Sequence, residues 1–102
     1  MPVTPPNAPT GLTATAGNAT VFLNWDASTS GATNYTVKRA MMAGGPYTII
    51  ASAATNSYTD TGVSNCAVYY YVVSAVNTNG ESANSAQVNA TPAAPPPGAR
   101  SA

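Results

Sequence analysis

Apolar residues recur at every second position in several short segments of this chain, a period that constrains its fold more than any other feature. The alternating residues are Val21, Leu23 and Trp25, then Tyr35 and Val37, then Tyr69, Tyr71, Val73 and Ala75, and finally Val88 and Ala90. Successive side chains of a β-strand point to opposite faces, so this period gives each strand one apolar face. Threonine, valine and tyrosine are frequent in the same segments and favour a pleated sheet. The pattern predicts strands, each with one buried face.

Turn sequences separate these segments, among them Gly44-Gly45-Pro46 and Asn79-Gly80. The predicted strands are seven in number, at residues 10–16, 20–26, 34–40, 47–52, 56–59, 67–77 and 84–91. Short strands at this spacing are typical of a sandwich of two sheets. We therefore predict an all-β fold, a seven-stranded antiparallel Greek-key sandwich with three strands packed against four.

The alternation also predicts which side chains fill the space between the sheets. The predicted core residues are Leu23, Trp25, Tyr35, Val37, Tyr58, Val63, Tyr69, Tyr71, Val73, Ala75 and Val88. Trp25 supplies a large apolar surface around which the others can pack. Tyr69 follows Val63 by six residues, the spacing of a tyrosine corner, in which the hydroxyl bonds to backbone upstream.

Prolines cluster near both ends of the sequence. Four lie within residues 1–9 and four within residues 92–97, whereas Pro46 is the one proline between them. Proline lacks a backbone donor and favours extended polyproline II structure. We predict a proline-rich linker at residues 1–8, a folded domain at 9–92, and a second proline-rich linker or tail at 93–102.

The composition excludes several classes of function. The chain has 102 residues, of which 6% are charged, with three basic and three acidic side chains. Three cations cannot form the basic face that nucleic acid or a polybasic membrane anchor requires, and no run of about 18 apolar residues is present to span a bilayer. The chain has no histidine and one cysteine, which excludes an internal disulfide and a zinc cluster. We expect no cofactor, no metal, no nucleic acid and no membrane partner.

In order and spacing, a series of short motifs resembles the fibronectin type III family over residues 9–92. The motifs are Pro9-Thr10-Gly11-Leu12, Leu23-x-Trp25, Tyr35-x-Val37, Ser57-Tyr58-Thr59-Asp60-Thr61-Gly62-Val63, Tyr69-x-Tyr71-x-Val73-x-Ala75-Val76-Asn77, and Gly80-Glu81-Ser82. The segment Gly44-Gly45-Pro46-Tyr47 and the Tyr-Tyr-Tyr-Val-Val run resemble bacterial members found beside exported glycoside hydrolases. Cys66 departs from the small turn residue, often glycine, that the family usually has there.

The resemblance implies an immunoglobulin-like fold and a function without catalysis. We expect a secreted spacer or interaction module that links domains of a bacterial carbohydrate-active enzyme. The module itself would be no enzyme, although its parent would be a hydrolase acting on polysaccharide. The implied partners are neighbouring domains of the same polypeptide, with polysaccharide as a further candidate, and we expect the chain to be a monomer.

Two acidic residues raise an alternative to the non-catalytic module, namely that the chain is a small glycosidase. Asp26 and Glu81 should lie at the same end of the sandwich, and two carboxyl groups across a cleft can hydrolyse a glycosidic bond. The short loops at that end are not expected to form a cleft, so catalytic residues are predicted to be absent. Asp60 is explained by an Asx turn, and Cys66 has no histidine on the chain to activate it.

One face of the predicted sheet carries the candidate binding surface. If Tyr69 and Tyr71 point inward, Tyr70 must point outward, beside Val72 and Lys38. Exposed aromatic rings can stack on sugars, so Tyr70, Val72 and Lys38 form a candidate carbohydrate- or surface-binding site. Met41-Met42 is predicted to lie at the top of the loop between the third and fourth strands.

Overall fold

The computed structural model describes residues 6–27 and 31–94. Their strands are β1 (Thr13–Gly17), β2 (Thr20–Asn24), β3 (Asn34–Ala40), β4 (Thr48–Ala53), β5 (Ser57–Asp60), β6 (Tyr69–Asn77), β7 (Gly80–Glu81) and β8 (Val88–Ala90). Residues 1–5 and 95–102 of the predicted linkers lie outside the described residues. Within the first linker, Pro6 is buried, so this proline packs against the folded body.

The strands form two sheets whose paired strands are all antiparallel. The smaller sheet has the order β1-β2-β5, and the larger has the order β4-β3-β6-β7, with β8 also paired to β6. The all-β Greek-key sandwich is confirmed. The described residues form eight strands rather than the predicted seven.

The additional strand is β7 (Gly80–Glu81), which lies in the predicted turn before the last predicted strand, whereas the strand predicted at 84–91 is reduced to β8 (Val88–Ala90). The backbone N–H groups of Ala75 and Val73 donate to the hydroxyl oxygens of Ser82 (2.8 Å) and Ser85 (3.0 Å). The N–H groups of the two serines donate back to the carbonyl oxygens of Ala75 and Val73, each at 2.8 Å. Because side-chain oxygens here replace backbone carbonyls, the regular ladder is interrupted between β7 and β8.

The first strand begins three residues later than predicted. Gly11 has φ +70°, and a Cβ at this position would lie 2.6 Å from Oδ2 of Asp26. The left-handed backbone at Gly11 turns the chain, and the N–H of Asp26 donates to the carbonyl of Thr10 at 2.8 Å. The extended pairing with β2 therefore starts only at Thr13.

The core lies between the sheets and contains most of the side chains assigned to it from the alternation. Buried are Leu23, Trp25, Tyr35, Val37, Val63, Tyr69, Tyr71, Val73 and Ala75, whereas Tyr58 and Val88 are partly buried against them. The rings of Trp25 and Tyr35 meet edge to face with centroids 5.4 Å apart. Tyr58 and Val88 lie on β5 and β8, outer strands of the pairing order, where fewer neighbours cover them.

The two ends of the sandwich differ in which terminus they carry. The chain enters beside Asp26 and Thr10 at the amino-terminal pole, which also holds turns 54–56 and 78–79. The carboxyl-terminal pole holds turn 18–19, the 41–47 hairpin loop, loop 61–68 and the exit at 91–94. In loop 61–68, the N–H of Ser64 donates to the hydroxyl oxygen of Tyr69 at 2.9 Å. This bond is the predicted tyrosine corner.

Candidate functional site

The outer face of the larger sheet is covered by a long polar side chain. Lys38 on β3 reaches across β6, where Nζ lies 2.9 Å from Oε2 of Glu81 and donates to Oδ1 of Asn84 at 2.7 Å. Val72 is the cross-strand partner of Lys38 and is only 2% exposed. The inclusion of Val72 in an exposed binding surface was therefore wrong, because the apolar stem of Lys38 lies above this part of β6.

Glu81 has its own set of partners on this face. Its carboxylate accepts a hydrogen bond from the hydroxyl of Ser74, which is fully buried, and pairs with Lys38. The hydrogen bond from Ser74, followed by the interaction with Lys38, lowers the pKa of Glu81. Glu81 is therefore a structural anion that holds the Lys38 side chain in place.

Asp26, the second acidic residue of the glycosidase hypothesis, lies at the amino-terminal pole. Oδ2 accepts a hydrogen bond from the hydroxyl of Thr10 at 3.2 Å, and the carboxylate lies against Gly11. Glu81 instead contacts Ser74 and Lys38 on the outer face of the larger sheet. The two carboxylates thus belong to separate clusters, each with its own partners.

Tyr70 lies on the same outer face as Lys38, nearer the carboxyl-terminal pole. Its cross-strand partners are Ala40 on β3 and Asn89 on β8. Tyr70 is half-buried, Ala40 is buried and Asn89 is exposed. The surface predicted for ligand binding is therefore reduced to one partly accessible ring beside an amide.

A charged cluster between the sheets was missing from the prediction. Nη1 of Arg39 donates to Oδ2 of Asp60 at 2.8 Å, and the hydroxyl of Tyr71 donates to the same oxygen at 2.8 Å. The N–H of Gly62 donates to Oδ1 of Asp60 at 3.0 Å, which is the predicted Asx turn. Asp60 is 3% exposed. It joins β5 of the smaller sheet to β3 and β6 of the larger one.

A signal for this cluster was present in the sequence. Arg39 continues the inward-facing positions of Tyr35 and Val37, and its guanidinium lies 5.6 Å from the ring centroid of Tyr69. An inward cation requires a buried anion, and Asp60 is two residues beyond Tyr58 on its strand. Burial, with the hydrogen bond to Asp60, raises the pKa of Tyr71 well above 10.0.

The 41–47 hairpin loop presents apolar side chains at the carboxyl-terminal pole. Met41 and Met42 are 66% and 62% exposed. Together with Pro46 and Thr48 they line a shallow groove of about 350 Å³ that extends to Arg39 and Ala40. We call Met41, Met42 and Pro46 the hairpin patch.

Gln87 holds the hairpin loop in position. Its Oε1 accepts hydrogen bonds from the N–H of Gly44, at 2.8 Å, and from the hydroxyl of Tyr47. A Cβ on Gly45, which has φ +95°, would lie 3.0 Å from the backbone nitrogen of Tyr47. The loop conformation therefore depends on glycine at this position and on a contact with the segment before β8.

The exit of the chain is fixed at the same pole. The N–H of Cys66 donates to the carbonyl of Pro92 at 2.8 Å, and the N–H of Ala93 donates to the carbonyl of Gly17 at 3.1 Å. Oδ1 of Asn65 accepts from the N–H of Ala19 at 2.7 Å. These bonds connect three loops, so residues up to Ala93 belong to the rigid body.

Residues 6–27 and 31–94 include no group of three or more His, Cys, Asp or Glu side chains that could hold a metal ion. No helix among them has the length and apolarity needed to cross a membrane.

Two antiparallel sheets, a buried tryptophan and a tyrosine corner define the class of immunoglobulin-like β-sandwich modules. Within this class, residues 7–91 match the fibronectin type III domain. The chain belongs to the fibronectin type III family.

Relatives of this chain are segments of larger proteins. An amylopullulanase from Thermoanaerobacterium saccharolyticum is 42% identical over 95 residues, which cover 91% of this chain and 7% of the relative. Exoglucanase B from Cellulomonas fimi is 39% identical over 101 residues, which cover 93% of this chain and 9% of the relative. The chain thus spans less than a tenth of these curated relatives.

A solved structure shows the same fold at a similar level of identity. The crystal structure of an Fn3-like protein from Clostridium thermocellum is 44% identical to this chain, with a TM-score of 0.76. The match covers 89% of this chain and 95% of that protein.

Proposed function

We propose that this chain is a non-catalytic spacer module of a secreted bacterial carbohydrate-active enzyme. The observation that carries the proposal is the placement of the two chain ends at opposite poles of one rigid sandwich. Thr10 is bonded at the amino-terminal pole, whereas Ala93 is bonded at the carboxyl-terminal pole. A module with this geometry inserts a fixed distance between the domains on either side of it.

The physical basis of the spacing is the stiffness of the paired strands. β3 has seven residues, which at about 3.3 Å per residue span about 23 Å before the loops are added. A flexible linker of similar span samples many distances, whereas the sandwich holds a single one. The spacer limits both the separation and the relative orientation of its neighbours.

The relatives support the carbohydrate-active context. The amylopullulanase and the exoglucanase are glycoside hydrolases in which the matching segment is a small part of the polypeptide. We infer that this chain likewise belongs to a longer, exported hydrolase that acts on polysaccharide. In that setting its partners are the neighbouring domains of the same polypeptide, and the module itself is a monomer.

The separate sets of partners of Asp26 and Glu81 support a module without catalysis. Glycoside hydrolysis needs two carboxyl groups that flank one bond, whereas Asp26 is bonded to Thr10 and Glu81 to Ser74 and Lys38, contacts that give each carboxylate a structural role. The purified chain should release no product from chromogenic glycosides, and Asp26→Asn should match the wild type. Turnover that Asp26→Asn abolishes would contradict the proposal.

The spacer role is tested in the parent polypeptide. One variant lacks residues 9–92, and a second carries a flexible glycine-serine linker of equal span in their place. Both should keep full activity on a soluble oligosaccharide and lose activity on the insoluble polysaccharide, because only the polymer must contact two domains at once. If both variants match the wild type on the polymer, the spacer role is wrong.

The alternative function is a carbohydrate- or surface-binding module that uses the face around Tyr70. It is favoured by the partly accessible Tyr70 ring beside the exposed amide of Asn89. The chain is incubated with insoluble cellulose, chitin and xylan, and the unbound fraction is measured. Retention that Tyr70→Ala removes would support the binding module, whereas a spacer is not retained.

A further inference from the structure

Large exposed apolar side chains are distributed unevenly over the sandwich. Those of the described residues are Phe22, Met41, Met42, Ile49 and Val68. All except Phe22, which lies within β2, belong to the carboxyl-terminal pole or to the strand end next to it. Among residues 6–27 and 31–94, the amino-terminal pole exposes no such side chain.

The carboxyl-terminal pole is also electrically neutral within the described residues. Arg39 extends to its groove but is paired with Asp60 at 2.8 Å. The other described charges lie elsewhere, with Asp26 at the amino-terminal pole and the Lys38–Glu81 pair on the outer face of the larger sheet. A partner for this pole therefore needs a neutral apolar surface.

The chain leaves the body at this same pole. The bonds of Cys66 with Pro92 and of Ala93 with Gly17 direct the chain out beside the loops, and residues 95–97 of the sequence are three prolines. Proline-rich linkers act as semi-rigid spacers and keep the next domain within a few tens of ångströms. The following domain therefore encounters the hairpin patch more often than any untethered protein does.

The size of the patch distinguishes between occupants. Stable association of separate proteins usually buries about 1,200–2,000 Å² in total, which three side chains cannot supply. A tethered domain faces an effective concentration of about 1 mM, so a weak contact is sufficient. This argues for a neighbour in the same polypeptide over a second copy of the chain.

We propose that the hairpin patch of Met41, Met42 and Pro46 is the docking surface for the domain that follows this module in the parent polypeptide. The contact selects one orientation among those that the proline-rich linker at the carboxyl-terminal pole allows. The proposal rests on the spacer function, to which it adds a specific site and a neutral apolar partner surface.

Methionine oxidation tests the contact without a mutation. The chain alone and a fragment extended through the following domain are treated with dilute hydrogen peroxide, and sulfoxide at Met41 and Met42 is followed by mass spectrometry. At an effective concentration of about 1 mM, a contact with Kd about 0.25 mM is about four-fifths formed, so both rates should fall about five-fold in the longer fragment. Equal rates in the two proteins would overturn the proposal.

A second experiment uses matched variants of the two-domain fragment. Met41→Ser with Met42→Ser should increase the radius of gyration measured by small-angle X-ray scattering. Phe22→Ser, which removes an exposed apolar side chain away from the pole, should leave it unchanged. Protection of the methionines in the chain alone as its concentration rises would assign the patch to a second copy and overturn the proposal.

The outcomes separate this proposal from the spacer function. A module without the docking contact still separates its neighbours. In that case the deletion and replacement variants lose activity on the polymer, as the spacer role requires, but Met41 and Met42 are not protected from oxidation. Conversely, protection without any loss of activity on the polymer supports the docking surface and contradicts the spacer role.

Discussion

Arg39 and Asp60 join the two sheets of the sandwich through an ion pair of 2.8 Å, one partner coming from each sheet. The Asp60 carboxylate also accepts hydrogen bonds from the Tyr71 hydroxyl and the Gly62 N–H. The two carboxylate oxygens thus accept from three groups, one on β3, one on β6 and one in loop 61–68. In a chain with only six charged side chains, two of them are used to hold the layers together.

Asp60→Asn should lower the free energy of unfolding by about 2–3 kcal/mol, because the amide retains the shape but leaves the Arg39 cation unpaired. The measurement is urea denaturation at neutral pH. Asp26→Asn is the control, an exposed carboxylate whose loss should cost about 0.5 kcal/mol or less. Equal midpoints for the two variants would show that the inter-sheet pair contributes little.

Alkaline pH should destabilise the wild type through Tyr71. Burial, followed by the hydrogen bond to Asp60, raises its pKa above the ordinary 10.0, so the native state holds the proton that the unfolded chain releases. The corresponding stability is fully present below pH 10 and is lost as the pH rises above that value.

The test compares thermal midpoints from about pH 8 to about pH 12 in the wild type and in Tyr71→Phe. The variant should be less stable at neutral pH by about 1 kcal/mol but should fall less steeply above pH 10. Tyr70→Phe removes a hydroxyl from the outer face and should keep the wild-type slope. Parallel curves for the wild type and Tyr71→Phe would refute the assignment.

Trp25→Ala should cost about 3–5 kcal/mol, because the side chain is fully buried against Tyr35 and leaves a large cavity. Trp25→Phe should cost much less, since the buried Nε1 has no hydrogen-bond partner among the described residues and its loss breaks no bond. Phe22→Ala, on β2 just before Trp25, is the exposed control. A urea midpoint unchanged in Trp25→Ala would contradict the core assignment.

Cys66→Gly should raise the free energy of unfolding. Cys66 has φ 73°, and a left-handed backbone costs a residue with a Cβ about 1–2 kcal/mol. Glycine removes this cost but adds about 0.5–1 kcal/mol of chain entropy, so the net gain has a midpoint of about 0.75 kcal/mol and an upper bound of about 1.5 kcal/mol. Cys66→Ala keeps the Cβ and should show no gain in a thermal melt.

The alternation of apolar residues was sufficient to predict the sheets and the inward side chains, because one-sided burial imposes a period of two residues. Trp25, Tyr35 and Tyr71 could all be placed on this basis. Val72 could not, since its burial comes from Lys38 reaching across the strand, and side-chain reach leaves no periodic signal. Cys66 could not be placed in a left-handed turn either, since such a backbone favours glycine and the sequence has cysteine there.

The polar contacts were harder to predict than the core. Asp60 looked sufficiently explained by a turn with Gly62, and its partners Arg39 and Tyr71 lie on strands distant in sequence. The appearance of β7 before the predicted last strand, and the shortening of that strand to β8, depend on whether Ser82 and Ser85 bond through their hydroxyls or their carbonyls. Which atom each serine uses depends on the three-dimensional positions of its neighbours, and a single sequence does not give those positions.

The interruption by Ser82 and Ser85 also bears on solubility at high concentration. Proteins with few charges cannot rely on mutual repulsion to stay apart, and a long exposed strand invites backbone pairing with another molecule. On this side of the larger sheet the outermost strands have only two and three residues. This interrupted edge offers a neighbouring molecule no continuous row of backbone N–H and C=O groups with which to pair. Modules with few charges can therefore be crowded together without forming fibrils through this edge.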